Sequence, residues 1–234
     1  MKINYVINLQ DEQLLNYELV IDDKTCLLER KANQPTPEWA LLQNNQCPNC
    51  TLSSADYPYC PIATNIAGII EDCAGMISHS AVELKVITKQ RTISASTNAQ
   101  KAISSLLGLV MASSDCPHTA FFRPMAHFHL PLASQEESLY RAISSFLLLH
   151  FFASNQKLQM DIDFEKLSDI YEDVQTVNTF LSKRIQAIQQ GDASANAVIS
   201  LHLLSCVIPT TLETALEELR HMFLPGLGQA KNNE

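Results

Sequence analysis

Between Phe164 and Ile188 the apolar residues stand at Phe164, Leu167, Ile170, Tyr171, Val174, Val177, Leu181, Ile185 and Ile188. Spacings of three and four place them on one stripe of a long amphipathic helix, and such a stripe must be covered by other elements. The acidic residues Asp161, Asp163, Glu165, Asp169, Glu172 and Asp173 gather at the start of this helix. There the helix dipole favours negative charge, so they read as a solvated face.

The first thirty residues follow a different period. Ile3, Tyr5, Ile7 and Leu9 alternate with polar neighbours, as do Tyr17, Leu19 and Ile21. Asp22-Asp23 is a turn signal ahead of Thr25 to Glu29, so two or three antiparallel strands are expected. A second hairpin is expected where Val82, Leu84 and Val86 face Thr88, Arg91 and Ile93.

Helices are expected over Ala63 to His79, Ala102 to Ala112 behind a Thr97/Gln100 capping box, and Leu139 to Phe152 behind a Ser134/Glu137 box. A further helix, Ala195 to Ile208, follows a break at Gly191-Asp192. Pro209 is expected to stop it, and Thr210 with Glu213 to cap a last helix ending near Pro225-Gly226. The apolar runs Phe146 to Ala153 and Ala197 to Ile208 are too short to span a bilayer and read as buried helices. No internal repeat occurs.

These elements predict an α+β protein with a predominantly helical body, an N-terminal antiparallel sheet and a cysteine-rich metal-binding segment. The expected division is strands in residues 1–30, a cysteine- and proline-rich segment in 31–62 and the helical body in 63–228, all in one compact domain. The 234 residues suffice for a core without covalent staples.

Two stretches carry no regular pattern. Residues 31–61 hold five of the ten prolines, the only tryptophan and three cysteines, and residues 116–131 read CPHTAFFRPMAHFHLP. Something must hold such segments in shape, and a metal is one candidate.

The cysteines give that idea chemical content. Cys47 and Cys50 in C-P-N-C precede Cys60 in Y-C-P. A two-residue gap lets two sulfurs face one ion while the backbone turns around them. A closed tetrahedral zinc site needs a fourth ligand; Cys116 is the best candidate and His118 the reserve. A 4Fe-4S cluster is the alternative, since Cys47, Cys60 and Cys116 are all followed by proline and four thiolates suit a cubane equally. Plain buried thiols remain the third reading, and the one expected for Cys26, Cys73 and Cys206.

His127 and His129 form an H-x-H pair whose side chains share a side if the backbone is extended. With Arg123 and His118 they make a possible pocket for an anion or a second metal. The plainer expectation is that they hydrogen-bond the irregular loop to the core. His150 and His202, inside apolar helices, are expected to be satisfied core histidines.

Other classes are disfavoured. A formal charge of -9 argues against nucleic-acid or anionic-membrane binding. No secretory signal opens the chain, so a cytoplasmic protein with thiols rather than disulfides is expected. No nucleophile elbow, phosphate loop or dinucleotide fingerprint is present, and the acidic run at the start of the long helix lacks the E-x-x-H pairs of di-iron helical bundles. An enzyme is therefore not the leading expectation. A regulatory or protein-interaction module with a protein partner is, with an iron–sulfur redox or gas-sensing protein as the alternative and an enzyme using a His/Arg pocket at residues 118–129 as the second.

The segments PEWALLQNNQCPNC, YCPIA, SSLLGLVMASSDCPHTAFFRPMAHFHLP and TVNTFLSKRI together resemble a family of bacterial proteins of unknown function, over nearly the whole chain. In that family, the counterparts of CPNC, YCP and CPHTAFFRPMAHFHLP form a signature. The resemblance thus adds weight to Cys47, Cys50, Cys60 and Cys116 as a set, while Cys26, Cys73 and Cys206 lie outside it. It implies no activity.

Overall fold

The computed structural model describes residues 1–9, 14–30, 35–155, 163–188 and 192–227. Two hairpins build one sheet. Strands β1 (Lys2–Leu9) and β2 (Leu14–Val20) pair antiparallel with Tyr5 opposite Tyr17. Strands β3 (Ala81–Thr88) and β4 (Thr92–Asn98) pair with Val82 opposite Thr97. Because β1 also pairs antiparallel with β3, the order is β2-β1-β3-β4. The protein is thus α+β, with a four-stranded antiparallel sheet to which residues 81–98 contribute half.

The period-2 pattern decides which face is covered. Ile3, Tyr5 and Ile7 of β1, Leu15 and Leu19 of β2, and Val82, Leu84 and Val86 of β3 are all buried. They share a core with helices α1 (Pro61–Asp72) and α2 (Ala99–Ala112), whose Ile62, Ile66, Ile70, Ile103 and Leu106 are fully enclosed. Helix α1 begins at Pro61 because a proline at the first helical position brings its φ already set and has no N–H to leave unpaired. It ends at Asp72, seven residues before the expected His79, and Gly75 follows with φ +80.

The remaining helices are α3 (Arg123–His127), α4 (Gln135–Asn155), α5 (Glu165–Ala187) and α6 (Asp192–Phe223). Leu139, Ile143 and Phe146 of α4 meet Leu167 and Tyr171 of α5 and Leu212 and Leu219 of α6 in a second core. Helix α5 fulfils the expected amphipathic stripe. The break residue Gly191 and the acidic Asp161 lie outside the described residues.

Three local expectations are corrected. Helix α2 starts at Ala99, so its cap is Asn98 rather than Thr97, and the Asn98 side chain accepts the Lys101 N–H at 2.9 Å. Pro209 does not stop α6, which runs on to Phe223. A mid-helix proline leaves the carbonyl four residues earlier without its donor, and here Gln175 Nε2 of α5 supplies one to the Ser205 carbonyl at 3.1 Å. The apolar runs are not wholly buried either: Leu148, Phe151 and Phe152 of α4 and Leu203 of α6 are exposed. The Ser134/Glu137 box forms as expected, Ser134 N–H donating to Glu137 Oε2 at 2.7 Å and Glu137 N–H to Ser134 Oγ at 3.1 Å.

Candidate functional site

The cysteine-rich stretch is ordered by few and specific contacts. The chain makes a short 3₁₀ turn at Glu38–Ala40, a bridge between Leu41 and Tyr59, and a tight turn in which the Cys50 N–H donates to the Cys47 carbonyl at 3.0 Å. Cys60 caps α1: its N–H donates to the Ala40 carbonyl at 2.8 Å and its carbonyl accepts from the Thr64 N–H at 2.9 Å. Cys116 likewise precedes a 3₁₀ segment, Pro117–Phe122, and its carbonyl accepts the Thr119 N–H at 3.2 Å and the Thr119 hydroxyl at 3.2 Å.

These turns bring the four thiols within reach of one another's charge. Burial chiefly pushes the Cys47 thiol up to about 12, and the charges of Cys60, Cys116 and Cys50 add to it. Burial likewise pushes Cys116 up to about 11, with Cys60 and Cys50 contributing. All four are free thiols. Among the described residues, however, no three or more His, Cys, Asp or Glu side chains stand as a group that could hold a metal ion. The sulfurs are neighbours, and gripping a single ion at the ~2.3 Å of a zinc–thiolate bond would require their side chains to turn inward. Protonated at neutral pH, Cys47 and Cys116 are also poor nucleophiles, because the reactive form is the thiolate.

One residue that the sequence reading passed over organises the region. Arg184 of α5 is 3% exposed and donates to the carbonyls of Trp39 at 3.1 Å, Leu41 at 2.7 Å and Leu42 at 2.8 Å. No carboxylate among the described residues lies within ion-pair distance of it. Its positive charge reaches Cys47 and favours the thiolate there. A signal existed: Arg184 falls three residues after Leu181, on the apolar stripe of α5, where a cation needs a reason.

His118 spans two elements. Its Nε2 bonds the Asn49 carbonyl at 2.6 Å and its Nδ1 bonds Asp173 Oδ2 of α5 at 3.1 Å. Asn49 Nδ2 also donates to Asp173 Oδ1 at 2.9 Å. Both ring nitrogens of the reserve ligand are thus engaged in docking the Cys47–Cys50 turn.

The structure separates the other candidates. Residues 123–127 are helical, so the extended backbone that would align His127 with His129 does not form. Arg123 Nη2 pairs with Asp115 Oδ1 at 3.0 Å. His127 packs edge-on against the exposed Phe128. His129 alone lines a cavity of about 460 Å³, enclosed by α2, α4, α5, α6 and residues 117–132.

A relay of polar groups fixes that wall. The Leu132 N–H donates to Ser105 Oγ at 3.1 Å, Ser105 and the Tyr5 hydroxyl share a bond of 2.9 Å, and Tyr5 bonds His129 Nε2. Burial, and then the charge of Arg141, hold His129 down to about 3. It is therefore a neutral imidazole at neutral pH, its Nε2 sharing a hydrogen bond with the Tyr5 hydroxyl.

Of the remaining thiols, Cys73 is buried as expected, whereas Cys26 sits in a turn at φ 57 and Cys206 is partly exposed beside His202. His150 is buried and its Nδ1 bonds the Phe146 carbonyl at 2.9 Å. No helix among the described residues is long and apolar enough to cross a membrane.

Fold and site together define an α+β protein in which a four-stranded sheet packs with a helical body and four free thiols lie near one another. The chain belongs to the family described as a domain of unknown function, DUF6901, whose model matches residues 3–224. No curated protein and no solved structure matches it.

Proposed function

We propose that Cys47, Cys50, Cys60 and Cys116 bind a metal centre that clasps the cysteine-rich stretch to the segment beginning at Cys116. The observation that carries this reading is the convergence of four thiols, with the backbone N–H groups of His118 and Thr119 favouring the Cys116 thiolate and the buried Arg184 charge reaching Cys47. Backbone N–H donors and a buried cation both stabilise thiolate over thiol. A metal deprotonates coordinating thiols outright, which overrides the burial that keeps them protonated. Structural zinc is the first reading, because four thiolates close its tetrahedral shell.

An iron–sulfur cluster is the second, because Cys47, Cys60 and Cys116 are each followed by proline and four thiolates suit a cubane equally.

Elemental analysis of protein purified without air tests both. Zinc at about one per chain in colourless protein supports the first, and iron with acid-labile sulfide in brown protein the second. Protein carrying neither at stoichiometric level rejects the metal centre.

The centre would serve a regulatory or protein-interaction module. Leu148, Phe151 and Phe152, each more than half exposed on α4, form the kind of apolar patch that marks protein contact. Concentration-dependent light scattering should show association in the wild-type chain and its loss in F151K/F152K; equal profiles would remove this element.

A further inference from the structure

Helices α2, α4, α5 and α6 do not close on one another completely. The cavity of about 460 Å³ between them lies within the size range of small-molecule pockets, about 300–1,000 Å³. Its walls are mainly apolar, with Leu109, Phe122, Leu130, Val174 and Leu204 among them. Water in such a space is poorly bonded, so an apolar body gains by replacing it.

Two polar groups on this wall lack the partner their chemistry calls for. Arg141 Nη2 donates to the carbonyls of Met125 at 2.6 Å and Phe128 at 3.3 Å, which fixes the guanidinium at the cavity edge. Yet no carboxylate among the described residues lies within ion-pair distance of it. Glu137, whose charge does reach Arg141, is bonded to the Ser134 N–H as a helix cap. A half-buried cation with no carboxylate in contact carries a desolvation cost that an anion offsets. The second group is Asn178 of α5, 1% exposed, whose Oδ1 has no hydrogen-bond partner. A buried acceptor left unpaired marks a place for a donor. His129, neutral and engaged with Tyr5, adds no second cation; Lys101, the other cation of the lining, is exposed, so water screens its charge.

We propose that this cavity binds a small carboxylic acid with an apolar body: the carboxylate on Arg141, the body among the helix side chains, and a hydroxyl or amide donor of the ligand on Asn178 Oδ1. The planar guanidinium fork matches a carboxylate better than any other side chain does. The proposal is independent of the metal reading, since none of the four thiols lines the cavity.

Calorimetric titration of the full chain with decanoate and, separately, decanol tests it. Decanoate should bind once per chain and at least tenfold more tightly than decanol. Arg141→Gln should abolish that preference, and Arg141→Lys should restore part of it. Arg141 also holds the end of α3, so a variant outside that contact is needed as well. Gly108 of α2 lines the cavity, and a Cβ there would meet Leu201 Cδ2 at 3.3 Å, a flexible side chain. Gly108→Met should fill the space and weaken decanoate at least tenfold while circular dichroism stays unchanged. Equal binding of decanoate and decanol by the wild-type chain, binding of neither, or full decanoate affinity in a folded Gly108→Met would each overturn the proposal.

Discussion

The two proline-rich stretches look alike in sequence and are built in opposite ways. Residues 35–60 stay irregular, and their backbone is held by groups from elsewhere: three carbonyls by Arg184, the Cys47–Cys50 turn by Asp173 through Asn49. Residues 116–131 instead coil into the 3₁₀ segment Pro117–Phe122 and then α3, and satisfy much of their backbone locally. The difference lies in what each must bury. Phe122 and Ala126 have a helical partner surface in Tyr171 and α2, whereas the first stretch offers mainly Trp39, Ala40 and Leu42 to the core. A segment with little to bury relies on hydrogen bonds and covalent or metal clasps.

The strongest way to break this contrast is to remove the clasp that would join both stretches. If one centre binds all four thiols, its binding energy is folding energy, on the order of 10 kcal/mol for structural zinc. Cys50→Ser and Cys116→Ser should then each lose the metal and cost at least ~3 kcal/mol in urea unfolding. The double variant should be little worse than either, because the shared ion is lost once. Additive losses would show that the two stretches have separate supports.

Next in size is Arg184→Met, which strands three carbonyls at a buried site. Charged hydrogen bonds contribute about 1.5–3 kcal/mol each, so a loss of about 3 kcal/mol or more is expected. Hydrogen exchange should lose protection at the Leu42 and Cys60 amides, which close the first stretch, and keep it in the second. Equal loss in both would contradict the idea that only the first is held from outside.

How much of this was legible follows the same line. Elements that carry a period were readable: the stripe of α5, the alternation of β1 and β3, and the Ser134/Glu137 box all form. Pro209 misled because the rescue of the Ser205 carbonyl by Gln175 is a tertiary event with no local trace. The four thiols were readable as a set of residues, since cysteine is rare and its spacing informative. The cavity was not. Its Arg141 and Asn178 sit thirty-seven residues apart on different helices, and only the register of Asn178 with Val174 and Tyr171 hinted at burial. The H-x-H pair failed as a unit because helix α3 ends between its members.

The second stretch has its own sensitivity, to acid. His129 titrates near 3 in the folded chain against about 6.5 when unfolded. Between those values the unfolded chain binds more protons, so stability rises with pH up to about 6.5 and is lost as pH falls below it. The loss should approach ~1.4 kcal/mol per pH unit. His129→Asn should flatten the wild-type slope between pH 6 and pH 4 by about 2 kcal/mol. An unchanged slope would mean that the imidazole is open to water.

The smallest effect is expected where the two stretches touch directly. His118→Ala removes the bonds to the Asn49 carbonyl and to Asp173, at 2.6 and 3.1 Å. Asn49 still reaches Asp173 Oδ1 by itself at 2.9 Å, so the turn keeps one anchor. About 1 kcal/mol should be lost, the net value of one hydrogen bond with a partly screened ion pair. Metal content, if the four thiols are the ligands, should stay at the wild-type level. Loss of the metal in His118→Ala would instead promote His118 to a ligand and make the contact between the stretches their main support.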